Sequence, residues 1–323
     1  MTNHNANLKL INSLIRERIS ASNRPLLIAH MRPDGDAIGS LIGLGLALHS
    51  AGKQPRLVLT DGLPSKFKFL EGSQDIQKQI ETGFDLVITL DASDKRRLGN
   101  INPDMAVDIN IDHHITNEHF GEINLVLPEQ PATSSILATM MPEWGLAISK
   151  PIASALLAGI ITDTIGFRTS NVTPQLLRLC ADLMDCGADL PFLYNKVLID
   201  QTFADSQLWG LALSRLKHEG RILWTSITLE DRKQAGHQGK DDADLTNLLS
   251  GIQDHDIAVL FNEQNDGKVK VSWRSNELVN VADIAVQFGG GGHPAAAGAE
   301  VAGSLSEVEE KILKSTKNHI KGN

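Results

Sequence analysis

Four short clusters hold the side chains able to do chemistry. His30-Met31-Arg32-Pro33-Asp34-Gly35-Asp36 places one imidazole and two carboxylates close together, Asp91 follows an apolar run, Asp112-His113-His114 adds a carboxylate and two imidazoles, and Asp163 closes another apolar segment. Taken singly, an aspartate after a strand usually caps the next helix, and a histidine is usually just hydrogen-bonded. Taken together they read differently, because converging carboxylates raise one another's proton affinity unless cations neutralise them. The donors are carboxylate oxygens and imidazoles with no thiolate, a set that suits Mn²⁺ or Mg²⁺ better than structural zinc. Two imidazoles, one for each of two ions, favour Mn²⁺. A carboxylate shared by two divalent ions holds them ~3.5–4 Å apart, a spacing suited to in-line attack on phosphorus. Metal-assisted phosphoester hydrolysis is the chemistry these residues predict.

The elements that must position them can be read from the flanking sequence. Leu26–Ala29, Leu57–Thr60, Leu86–Leu90 and Ala106–Ile111 are apolar, too short for helices and followed by polar or glycine-rich residues, which predicts strands. Ala37–Ala51 predicts a buried crossover helix after the first strand, and the alternation of strand and helix predicts a mainly parallel sheet flanked by helices. In such sheets ligands bind beyond the carboxyl ends of the strands, where the first three clusters fall. Helical patterns dominate from Ser134 to Leu198 and include Ala153–Thr162 and Pro174–Met184, with Thr173 as N-cap. The run Thr133-Ser134-Ser135 predicts a cap for the helix that follows, with hydroxyls facing substrate as the alternative. Ala204–His218 predicts a connecting helix ending at Gly220. The strand pattern then restarts at Ile222–Thr228, Ile257–Asn262 and Val269–Trp273, with Asn265-Asp266-Gly267 as hairpin turn. A charged amphipathic helix at Leu305–Ile320 closes the chain. The expected organisation is α/β throughout: a catalytic domain over residues 1–200, a helical connector over 201–220 and a smaller α/β domain over 221–323, with the active-site cleft between the two domains.

Two features of the second domain have their own physical reading. Gly289 to Gly292 could let backbone amides close on an anion as a nest, with His293 as a further donor. Arg274, in Ser272-Trp273-Arg274-Ser275 after a predicted strand, offers a planar fork matched to phosphate.

Composition limits the partners. A hydrophobic share of 41% beside 21% charged residues predicts packed cores rather than disorder. The longest apolar stretch, Ala37 to Leu48, is too short for a bilayer span, and the polar N-terminal twenty residues predict a short amphipathic helix rather than a secretory signal. No membrane is expected. Charged side chains number 17 basic against 22 acidic over residues 1–200 and 13 against 17 over 201–323, so both parts are acidic. Proteins that track long nucleic acid carry basic stripes, which argues against a long duplex partner. Aromatics make up only 4%, too few for an extended base-stacking platform. Cys180 and Cys186 lack metal or redox spacing and read as core residues of a cytoplasmic protein. A homodimer is the expected assembly.

HMRPDGDAIGS, VITLDASD, IDHH and ALLAGIITDTIGF resemble the four motifs of the DHH phosphoesterase family, and FGGGGHPAAAG with VSWRS upstream resembles that family's DHH-associated domain. The resemblance covers nearly the whole chain. It implies that His30 and Asp34 ligate one ion and Asp36 and His113 the other, with Asp91 and Asp163 shared. His114 would face the substrate phosphate, and Asp112 would orient the imidazoles. Arg274, Gly290, Gly291, Gly292 and His293 would hold substrate, and Arg168 and Asn171 are further candidates for phosphate or base contacts. Within the family the chain is similar to bacterial oligoribonucleases, which degrade RNA of a few nucleotides and often dephosphorylate 3′-phosphoadenosine 5′-phosphate. The function implied is a Mn²⁺-dependent phosphohydrolase of short RNA, of that bisphosphate, or of both. The alternatives are a linear or cyclic dinucleotide phosphodiesterase, a type II inorganic pyrophosphatase, and a nucleotide sensor without turnover.

Overall fold

Strands that are apolar along their whole length, without alternation, belong in a sheet covered on both faces. The computed structural model describes residues 2–99, 101–102, 104–276 and 279–322 and divides into two compact units, residues 1–200 and 201–323. The first unit runs α1 (Thr2–Ala21), β1 (Pro25–Ala29), α2 (Gly35–Ser50), β2 (Arg56–Val58), β3 (Ile76–Gln77), β4 (Leu86–Leu90), β5 (Ile109–Asp112), β6 (Ile123–Val126), α3 (Thr133–Met140), α4 (Lys150–Asp163), α5 (Pro174–Asp185) and α6 (Leu190–Tyr194). Its six strands are all parallel, in the order β3-β2-β1-β4-β5-β6. Leu27 and Ala29 of β1 pack into the core on one face, and Leu26 and Ile28 pack into a smaller apolar cluster on the other.

The strand order reverses between β1 and β4. Open parallel sheets bind ligands at that kind of switch point, outside the carboxyl ends of the strands. His30 and Asp91 leave the sheet there.

Helix α2 crosses α4 at very short range, and glycine makes this possible. A Cβ on Gly39 would stand 2.4 Å from the carbonyl oxygen of Ala155, and one on Gly35 would stand 2.3 Å from Oγ1 of Thr162. A Cβ on Gly159, from the other side, would meet Oγ of Ser134 at 2.1 Å. Such approach is closed to any residue with a side chain. It brings the start of α2, which carries Asp36, against the end of α4, which carries Asp163.

Several expectations need adjustment. The fourth expected strand begins at Ile109 rather than Ala106, and β2 stops at Val58. The two-residue β3 and the edge strand β6 were not foreseen, since neither has an apolar run long enough to register. Cys186 is exposed at the end of α5, whereas Cys180 is buried as expected.

The second unit contains α7 (Phe203–Leu213), β7 (Lys217–Glu219), β8 (Ile222–Ile227), α8 (Leu229–Ala235), α9 (Leu245–Leu249), β9 (Ile257–Glu263), β10 (Lys268–Ser275), α10 (Ala282–Val286), β11 (Gly291–His293), β12 (Ala296–Ala302) and α11 (Leu305–Gly322). They build a sheet ordered β11-β12-β10-β9-β8-β7, antiparallel except for the β8–β9 pair. The helix expected over Ala204–His218 stops at Leu213. Lys217–Glu219 pairs instead with Ile222–Trp224 around Gly220 at φ 61°, a turn that ends any helix there. The hairpin turn at Gly267 stands as expected, with φ 75°.

Candidate metal centre

His30, Asp34 and Asp36 follow β1, Asp91 follows β4, Asp112 ends β5 with His113 and His114 behind it, and Asp163 ends α4. These segments converge. Nε2 of His30 lies 3.5 Å from Oδ2 of Asp91 and 3.8 Å from Oδ2 of Asp34. Nε2 of His113 lies 3.6 Å from Oδ1 of Asp91 and 3.4 Å from Oδ2 of Asp163. Among the described residues, three overlapping groups could each hold an ion: His30, Asp34 and Asp91; Asp36, His113 and Asp163; and Asp91, His113 and His114.

The separations fit shared cations better than hydrogen bonds. They lie at or beyond the hydrogen-bonding limit, whereas two donors each roughly 2.1 Å from one ion stand about 3.0–3.6 Å apart. The opposite ring nitrogens are already used. Nδ1 of His30 is 2.8 Å from the Met31 carbonyl and Nδ1 of His113 is 3.3 Å from that of Gln130. A carbonyl only accepts, so each Nδ1 carries its proton and Nε2 is turned toward the carboxylates, as in metal-ligating histidines. Nε2 of His30 is buried and has no hydrogen-bond partner of its own.

Charge is crowded here. Burial would lower the proton affinity of His30, yet the Asp34 and Asp91 carboxylates push its pKa up to about 10. Burial and the charge on Asp91 raise Asp36 to about 7. Asp163 is also raised well above the carboxylate range, by burial and then by Asp36, Asp34 and Asp91. Its place at a helix C-terminus, where the backbone dipole is negative, works in the same direction. Asp91 goes the other way: burial opposes its charge, but His30, His114 and His113 hold it far below the usual range. Divalent cations would relieve this crowding.

Asp34, Asp36, Asp91 and Asp112 are also held from behind. Oδ1 of Asp34 caps α2, accepting from the amides of Asp36 at 3.0 Å and Ala37 at 3.1 Å, which leaves Oδ2 facing His30. Capping and metal binding are therefore compatible in one side chain. Asp91 sits at φ 56°, a left-handed conformation rare for a residue with a side chain and found at functional sites. Ile165 and Phe167, directly after Asp163, are left-handed too, at φ 48° and 67°. Asp112 is fully buried, and its Oδ1 lies 2.7 Å from Nδ1 of His114. Its Oδ2 accepts from Asn117 at 2.6 Å, and Asn117 also donates to Asn110.

The hydroxyls of Thr133 and Ser134 do not cap α3. The cap comes from across the fold: Oδ2 of Asp36 accepts from the Thr133 amide at 2.6 Å and Oδ1 from the Ser134 amide at 2.9 Å. The Thr133 hydroxyl donates to Oδ1 of Asp91 at 3.0 Å, and that of Ser134 lies 3.0 Å from the Ser40 hydroxyl. Asn110 and Asn117 are site residues that sequence reasoning missed, and Thr133 and Ser134, read as a cap or as hydroxyls facing substrate, instead hold the carboxylates. The legible signal was a polar side chain inside a buried strand, Asn110 between Ile109 and Ile111.

The remaining candidates stand on other segments of the chain. Arg168 and Asn171 are exposed on the loop after α4, and neither side chain is held by a hydrogen bond or ion pair among the described residues. Arg274 lies within β10 rather than after it, is half-buried, and donates from Nη1 to the Trp273 carbonyl at 3.1 Å. Burial lowers its proton affinity, which the charges of Asp242 and Asp244 oppose.

Part of the glycine run is taken up in backbone pairing. The amides of Gly289 and Gly290 donate to Val286 and Ala285, and Gly291 and Gly292 pair with β12. Close packing accounts for two of the glycines: a Cβ would stand 2.1 Å from the Gly298 carbonyl oxygen at Gly290 and 2.4 Å from that of Ala296 at Gly292. The backbone of His293 ends β11, and its side chain lies outside what the structure describes.

Residues 25–160 match the profile of the DHH family N-terminal domain, and residues 227–322 match that of the DHHA1 domain. The chain is 34% identical over 313 residues to the bifunctional oligoribonuclease and PAP phosphatase NrnA of Thermus thermophilus, covering 95% of this chain and 94% of the relative. It is 28% identical to the protein of the same description from Mycoplasma genitalium, covering 92% and 95%. Among solved structures, an exopolyphosphatase-related protein from Bacteroides fragilis superposes with a TM-score of 0.89 at 25% identity, covering 97% of this chain and 98% of the other.

Proposed function

The chain belongs to the DHH family and is a hydrolase of phosphoester bonds, and from that premise we propose that it degrades short oligoribonucleotides to mononucleotides and dephosphorylates 3′-phosphoadenosine 5′-phosphate, using two Mn²⁺ ions. The observation that carries this reading is the convergence of His30, Asp34, Asp36, Asp91, His113 and Asp163 at the switch point of a parallel sheet. The full-length similarity to proteins named as oligoribonuclease and PAP phosphatase supports the substrate class. The oxygen-and-imidazole donor set supports Mn²⁺, with Mg²⁺ as the alternative.

His30 and Asp34 would hold one ion, Asp36 and His113 the other, and Asp91 and Asp163 both. When bound, such ions supply charge neutralisation for the phosphoryl group and make water acidic enough to act as nucleophile. The chain's own groups do the rest. Asp112 fixes the ring of His114 through Nδ1, so that His114 can donate to a phosphate oxygen as charge develops. The buried placement of Asp36 and Asp91 keeps bulk water from screening the site. Arg274 and His293 hold the nucleotide, Arg274 through its fork. The free thiols of Cys180 and Cys186 support a cytoplasmic setting.

A side-by-side turnover assay in Mn²⁺ tests the reading. Di- to pentaribonucleotides, 3′-phosphoadenosine 5′-phosphate, pyrophosphate and a cyclic dinucleotide are offered separately, with and without chelator. Mononucleotides from the RNA and adenosine monophosphate from the bisphosphate, both stopped by chelator, are expected. Turnover of pyrophosphate or of the cyclic dinucleotide alone would replace the proposal with that activity.

A further inference from the structure

Helix α3 touches the cluster through the Ser134 amide, which donates to Asp36, and through two different groups of Thr133. The amide of Thr133 donates to Asp36 and its hydroxyl donates to Asp91, at 2.6 Å and 3.0 Å. Thr133 is fully buried, so neither bond competes with water. The two carboxylates belong to different segments, one at the start of α2 and one after β4, and one residue bridges them. Ala132, at the N-cap position of α3, has no side chain able to cap, so the helix depends on Asp36 for its first amides. Asp91 stands in a left-handed backbone conformation, and the neutral hydroxyl of Thr133 donates to it.

We infer that Thr133 is a positioning residue for the metal centre: it fixes the distance and orientation of Asp36 and Asp91 relative to each other, and so sets the affinity for divalent cation. The inference rests on the metal-site reading above, but it makes a separate demand. The hydroxyl should matter for holding the ion, and serine should replace threonine where valine cannot. Groups that orient ligands in this way typically carry about 10- to 100-fold in metal affinity or activity.

The experiment uses the full chain stripped of metal and compares the wild type with Thr133→Val, Thr133→Ala and Thr133→Ser. Mn²⁺ binding is followed by calorimetric titration, and thermal unfolding is followed without metal. Thr133→Val keeps the shape and removes the hydroxyl; Thr133→Ala removes it with less crowding and carries the test if the valine variant does not fold. The expected result is Mn²⁺ affinity lowered about 10-fold or more in both, and within about 3-fold of wild type in Thr133→Ser. Unchanged affinity in the valine or alanine variant, or equal loss in the serine variant, would overturn the inference. Turnover of a diribonucleotide is measured in parallel. A wild type that binds Mn²⁺ without turnover would sink the functional proposal and leave the positioning role to be judged on affinity alone.

Discussion

The two units handle polar groups in opposite ways. In the first, seven ionisable side chains among the described residues meet at the ends of strands and helices, and five of them are tied to a backbone amide, a carbonyl or a buried hydroxyl. In the second, the candidate substrate groups are a half-buried guanidinium in the middle of a sheet and an edge strand of glycines packed against its neighbour. Pre-organised charge is what a chemical step needs, because it need not reorganise when charge develops on the substrate. A single fork and a backbone edge are suited to recognition. The contrast fits the proposed division, with chemistry in residues 1–200 and binding in residues 201–323, and it can be broken at specific positions.

Among variants outside the ligand set, the largest effect is expected at a glycine packed against the cluster. Gly159→Ala adds a methyl 2.1 Å from Oγ of Ser134 and 3.0 Å from Oδ1 of Asp36, although alanine is the better helix former. Overpacking of this kind costs about 1–3 kcal/mol, and here it pushes on a carboxylate of the cluster. Turnover should fall about 10- to 100-fold, with a matching rise in the Mn²⁺ needed for half-maximal rate. A stabilised and fully active variant would show that the α2–α4 approach does not set the site.

A middle-sized effect is expected in the second unit. Arg274→Lys keeps the charge and loses the fork, so KM for a diribonucleotide should rise about 10-fold while kcat and the rate on a small generic phosphodiester stay near wild type. A loss in kcat on both substrates would place Arg274 in the chemical step and weaken the division of labour.

The smallest effect separates two neighbouring glycines. Gly291 has open space where a Cβ would go, so Gly291→Ala should alter stability by no more than about 0.5 kcal/mol. Gly290→Ala runs into the Gly298 carbonyl and should cost about 1–3 kcal/mol, read from denaturant unfolding. Equal behaviour of the two would mean the strand is not packed as described.

The parts legible in the sequence were those with a strong local signature. Leu26–Ala29 and Leu86–Leu90 are apolar runs of strand length, and the helix after the first strand carries its pattern in full. The metal-ligand candidates were legible because ionisable residues are rare at the ends of apolar segments. What escaped were neutral groups whose role depends on a partner distant in sequence. Thr133 reads as an ordinary helix cap, and nothing local reveals that its hydroxyl reaches back to Asp91. The glycines of α2 read as weak points of a helix until α4 is laid against them. The run Gly289–Gly292 was read for its freedom, whereas at Gly290 and Gly292 the structure uses its smallness.

Titration of the metal-stripped chain with Mn²⁺, on the wild type and on Asp91→Asn, tests the central claim most directly. The account predicts two Mn²⁺ per chain in the wild type. In Asp91→Asn it predicts fewer or much weaker sites and turnover reduced about 1,000-fold or more, as expected when several kcal/mol of charge stabilisation are lost. A wild type that binds no Mn²⁺, or an Asp91→Asn variant that binds two ions and turns over normally, would contradict it.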